Sequence, residues 1–262
     1  MVNRFTGIAI VATLLSAPAA AVERPRDKDI KQLLERLDHE RDRFEDQLDG
    51  DLKHSTIRTR DGEVNVERYL DDFQDNVGKL KDRFHSDYAA GAEVTEVLRQ
   101  GSEISRLMAT RPPDLKGASE WNSLATSLRE LAAAFGTAFP LPAGQQARRL
   151  TDREVKTAAE AVASNADRYK EALDESLKKD LTVDKATREA AVDTAEGLKK
   201  AAEKLASRVG DEEPASGEAL ALQQRAAAIR NAPKRPLSPP AQTAWSAVET
   251  DLAKILQAFN LR

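Results

Sequence analysis

The sequence predicts an all-α protein made of two tandem, antiparallel up-and-down four-helix bundles related by an internal duplication. Three observations carry this prediction. Helix formers dominate a 262-residue chain with only 12 glycines, 11 prolines and 5% aromatics. Apolar residues recur at three- and four-residue spacing, as one buried helix face requires. Finally, two separate stretches reappear about 125 residues later, a self-similarity that heptads alone do not produce twice at one offset.

At the N-terminus, residues 1–4 are positive, 5–15 apolar and 17–21 rich in alanine. That order reads as a secretory signal peptide over residues 1–21, with Val22 the first mature residue. The apolar run is shorter than the roughly 20 residues a membrane span needs, so the expectation is cleavage, no retained anchor and a periplasmic or extracellular product. The chain has no cysteine, which excludes disulfides, thiolate metal sites and covalent c-type haem attachment.

The first unit is expected over residues 22–140. Ile30, Leu33, Leu34, Leu37, Phe44, Leu48 and Leu52 mark its first helix, and the 58–62 segment reads as the turn into the second. Val66, Tyr69, Leu70, Phe73, Val77, Leu80 and Phe84 mark that second helix; Val94, Val97, Leu98, Ile104, Leu107 and Met108 mark the third. Trp121, Leu124, Leu128, Leu131 and Phe135 complete the fourth, and prolines in 140–144 place the boundary there.

The second unit is expected over residues 141–262. Residues 152–178 laid over 27–53 give nine identities in 27 positions, including Leu48/Leu173 and Leu52/Leu177. Thr151 with Glu154 reads as a capping box opening this helix. A thinner stripe through Ala191, Leu198, Ala202 and Leu205 follows, then Leu220, Leu222 and Ile229. Ser238 and Pro239 read as the cap and first turn of the last helix, where Trp245, Val248, Leu252, Ile255 and Phe259 match the Trp121–Phe135 stripe at a shift of 124. The shared stripe assigns both tryptophans to core packing. One continuous helical array with a shared core is the alternative architecture.

Chemistry-bearing residues are few. Glu35 and His39, one helical turn apart, are the candidate metal pair, while His54 and His85 read as surface residues. In architecture the prediction resembles exported haem-carrying four-helix cytochromes, but Met108 is the sole methionine after Met1 and no cysteine exists, so no haem or other cofactor is expected. No nucleophile motif, phosphate loop or metalloprotease helix occurs, so the chain is not expected to be an enzyme. Residues 27–140 hold 24 acidic against 17 basic side chains and 141–262 hold 19 against 20, a balance that excludes nucleic acid as partner. The resulting expectation is a non-catalytic exported module that holds a protein partner, the alternative being a small-ligand or divalent-cation binder acting through its first unit.

Overall fold

The computed structural model describes residues 23–59, 62–232 and 237–261; the expected signal peptide and its cleavage point lie outside them. The chain is mostly helical. Helices α1 (Asp27–Gln47) and α2 (Gly50–Lys53) lead into a hairpin of β1 (Thr56–Thr59) and β2 (Gly62–Asn65). After it come α3 (Val66–Arg83), α4 (Gly91–Ala109), α5 (Ala118–Ala134), α6 (Asp152–Lys179), α7 (Lys185–Gly210), α8 (Ser216–Arg230) and α9 (Pro239–Ala258).

The helices form two rings. In the first, α1 lies against α3 and α5, and α4 closes the circle by touching both; in the second, α6 and α8 each lie against α7 and α9. Each ring buries its own apolar faces. One cluster runs from Ile30 to Ala147 and includes Leu48, Leu52, Trp121 and Phe135. The second ring holds two: a cluster from Val155 to Phe259, and a smaller one of Tyr169, Leu173, Leu177, Ala195, Ala241 and Ala244. Ala147 packs with the first ring and Leu150 with the second, so the chain changes cores past the expected 140–144 boundary.

Local chemistry explains where the helices begin. The Thr151 hydroxyl accepts from the Glu154 N–H at 3.1 Å, and the Glu154 carboxylate accepts from the Thr151 N–H at 2.7 Å, which satisfies orphan donors at the start of α6. Pro239 occupies the first turn of α9 behind Ser238, where its missing N–H has no consequence. The Arg26 guanidinium holds Asp29 in the first turn of α1, and this hydrogen bond keeps the Asp29 carboxyl below the usual carboxylate range despite partial burial.

Two features depart from the predicted first unit. Its first helix breaks after Gln47, and Asp49 restarts it by accepting from the Asp51 and Leu52 N–H groups. Gly117, at φ +93°, presses on this break; a Cβ there would stand 3.1 Å from Leu48 Cα. Glu175 stands where Gly50 does, 125 residues on, and α6 runs unbroken. The second departure corrects the simple turn expected at 58–62: Arg58 and Thr59 belong to β1 and Gly62 to β2, with Ile57 opposite Val64 and Arg58 opposite Glu63. Successive strand side chains point to opposite faces, so Ile57 is buried against the first core while Arg58 pairs with Glu63 at 2.6 Å on the open side.

Lys81 on α3 joins Glu35 at 2.9 Å and Asp38 at 2.7 Å on α1. Burial pushes the Asp38 carboxyl upward, but the hydrogen bonds from Lys81 and Arg41 outweigh it and the net shift is downward. A depressed carboxylate stabilises the fold above its unfolded pKa of about 4 and loses that contribution as pH falls through the lower folded value. Urea unfolding measured from pH 6 to 2 is therefore expected to show a shallower acid decline for Asp38→Asn than for the unaltered chain.

Candidate functional site

The two rings meet where α1 and α6 begin. Asp27 and Asp152 are the first residues of these helices, and the backbone N–H of each donates to the carboxylate of the other, at 2.8 and 2.9 Å. Arg149 donates to Asp27 and to the Pro25 carbonyl, both at 2.7 Å. Arg24 does the same to Asp152 and the Leu150 carbonyl. Arg24 and Arg149, Pro25 and Leu150, and Asp27 and Asp152 are each 125 residues apart, so every contact occurs with its exchange, as in a two-fold interface. The Arg24 and Arg149 side chains are 7% and 2% exposed. Burial, with Arg24 nearby, lowers the Arg149 pKa against the pull of Asp27 and Asp152. This charge-paired clasp holds the rings together.

The structure separates the expected metal pair from any third ligand. Glu35 and His39 are exposed on α1, and Glu35 is taken by Lys81. Among the described residues no three His, Asp or Glu side chains gather to share an ion. His54 lies 3.8 Å from Glu67, and His85 bridges to Tyr88 in the turn before α4.

Open space collects in two places: a cleft of about 730 Å³ beside the clasp, bordered by Gly91, Arg149, Glu154 and Gln257, and a more apolar one in the second ring, at the end away from the clasp. Tyr169 and Trp245 stand with ring centroids 5.3 Å apart and planes tilted by 47°. Their counterparts Phe44 and Trp121 are also 5.3 Å apart, tilted by 55°. Trp121 is only 6% exposed, as a core residue should be. Trp245 packs against both clusters of the second ring but is only half-buried, and it borders a cleft of about 650 Å³.

Small side chains border much of the cleft, among them Ala190, Ala191, Thr194 and Ala228. Buried Tyr69, Leu70, Phe73, Val77 and Leu80 of α3 correspond, 125 residues on, to Thr194, Ala195, Leu198, Ala202 and Leu205 of α7. Ala191 likewise stands for Val66, Ala228 for Glu103 and Ala232 for Leu107. In the first ring the Tyr69 hydroxyl donates to the buried Glu103 carboxylate at 2.7 Å, and Arg99 holds Glu103 from the other side at 3.1 Å. Burial and that carboxylate both push the Tyr69 pKa up. Thr194 and Ala228 supply neither bulk nor pair, and both line the cleft. Ile57 of the hairpin adds to the first core, whereas α7 begins directly after the α6 turn.

What faces the cleft is apolar with a few donors. Leu173, Leu177, Ala191 and Ile229 supply the walls. Among the described residues the Tyr169 hydroxyl, the Trp245 indole N–H and the Ser176 hydroxyl have no hydrogen-bond partner, and burial alone raises the Tyr169 pKa. The Thr187 and Thr194 hydroxyls are committed to Asp184 and the Ala190 carbonyl. Among the described residues Arg230 is the one charged lining residue; its Nε donates to Glu249 at 3.1 Å. An apolar pocket of this size with a small set of convergent polar groups is the usual form of a small-molecule site.

Different indole settings give a direct check. Trp121→Phe, which leaves Trp245 as sole reporter, is expected to emit at longer wavelength and to be quenched several-fold more strongly by acrylamide than Trp245→Phe.

No described helix is long and apolar enough to cross a membrane. No protein-family model, no curated protein and no solved structure matches the chain.

Proposed function

We propose that this chain is an exported, non-catalytic binding protein of two tandem four-helix units that arose by duplication, the first a closed support and the second an open receptor for an apolar group. The cleft at Tyr169 and Trp245 carries the reading. It occurs where the second unit keeps the aromatic pair of the first but replaces Val66, Tyr69 and Glu103 with Ala191, Thr194 and Ala228. Loss of buried bulk costs stability unless something refills the space. The offset of 125 between the starts of α1 and α6 and of α4 and α8, together with the exchanged contacts of the clasp, supports duplication. Export rests on the N-terminal order of charge, apolar run and small residues. The partner supplies the apolar group, either as a free molecule or as a side chain on a protein surface.

Expression in a bacterial host followed by N-terminal sequencing and titration with an anilinonaphthalene sulfonate tests both halves of the reading. The expected product begins at Val22 and binds one probe per chain with a change in Trp245 emission. A product retaining residues 1–21 ends the export proposal, and absence of saturable binding ends the receptor proposal.

A further inference from the structure

The chemistry of the cleft narrows what it can hold. Among the described residues no carboxylate lines it, and the Glu249 carboxylate beside it is already paired with Arg230, so a cationic ligand finds no free counter-charge there. Its uncommitted polar groups, the Tyr169 hydroxyl, the Trp245 N–H and the Ser176 hydroxyl, can all donate. Arg230 spends its Nε edge on Glu249, and its two terminal nitrogens have no partner among the described residues. One guanidinium of which one edge is spent suits a single negative charge, and its planar fork matches a carboxylate. From Tyr169 to Leu177 the lined stretch of α6 extends ~12 Å at the rise of an α-helix. Alanines of α7 and α8 along that length leave a smooth trough, not a compact slot.

We infer that the cleft takes the alkyl chain of a long-chain monocarboxylate and sets its carboxylate at Arg230. The inference rests on the receptor reading of the second unit. The chain displaces water from Leu173, Leu177 and the alanine walls, while Tyr169, Trp245 and Ser176 meet carboxylate oxygen or the bridging water. Affinity rises with chain length until the trough is filled, by roughly fourfold for each methylene buried.

Calorimetric titration of the full mature chain with dodecanoate, dodecylamine and dodecanol tests this, with Trp245 emission followed in a Trp121→Phe background. Dodecanoate is expected to bind one per chain, at least tenfold tighter than dodecylamine, and Arg230→Gln to erase that preference. Ala191→Val with Thr194→Tyr, which restores two residues that fill the first unit, is expected to abolish binding with the helical circular dichroism intact. Should that variant fail to fold, Ala228→Val alone is expected to weaken dodecanoate at least fivefold. Dodecanol or dodecylamine binding as tightly as dodecanoate overturns the carboxylate assignment while leaving the receptor reading in place. No Trp245 response to any of the three overturns both.

Discussion

Asp152→Ala is expected to lower the free energy of unfolding by about 3–5 kcal/mol, the cost of stranding a buried charge rather than of losing a surface pair. Asp152 is 14% exposed and receives both the Arg24 guanidinium and the Asp27 N–H. Without it Arg24 is left with the Leu150 carbonyl and the Phe259 ring, whose centroid lies 5.7 Å from the guanidinium carbon. Neither neutralises it. Asp27→Ala should act alike through Arg149, which is more deeply buried still. Because the pairs interlock, the double variant should depart from the sum of the single losses by 0.5 kcal/mol or more, on the order seen for residues in one network. Urea unfolding at low and high salt provides the measurement. A loss below about 1 kcal/mol that vanishes with salt would reduce the clasp to an ordinary surface contact.

Phe73→Ala is expected to cost about 3–5 kcal/mol by emptying a site that packing cannot fully close. Phe73 is 0% exposed in α3 and belongs to the first cluster alone. Leu198, 125 residues on, is as deeply buried in the second, and Leu198→Ala should cost about 2–5 kcal/mol. Separate cores predict separate consequences. Phe73→Ala should bring forward the melting reported by Trp121 and Leu198→Ala that reported by Trp245, each followed with the other indole changed to Phe. Equal shifts of both reporters in either variant would mean that the clasp makes the rings one cooperative unit, as the shared-core architecture requires.

Much of the fold is legible along the chain because helices are local. The Ile30–Leu37 and Val155–Val162 faces, the Thr151–Glu154 box and the Ser238–Pro239 start follow from spacings of a few residues. The hairpin is harder to read, since four residues of alternation in Thr56–Thr59 are too few to outweigh the helical patterns on both sides. The break after Gln47 is met by Gly117, seventy positions away in the chain, whose lack of a side chain lets it approach Leu48 closely.

The candidate site is less legible still. Glu35 and His39 have ligand spacing, but Lys81 claims Glu35 and, with Arg41, the neighbouring Asp38. The cleft is present in the sequence as the thin Ala191–Leu205 stripe. Its meaning emerges only when that stripe is aligned with Val66–Leu80 and Ala228 is seen across from Thr194, where Glu103 faces Tyr69.

Composition and periodicity by themselves determined the helical class, the repeated stripes and most of the buried faces, because burying one side of a helix is a constraint among residues three and four apart. Tertiary structure alone decided that Arg24 answers Asp152 while Arg149 answers Asp27, and that Trp121 is sealed while Trp245 borders a cleft. Those outcomes depend on side-chain volume and charge meeting across more than a hundred residues, distances at which only the packing of whole helices can choose the neighbours.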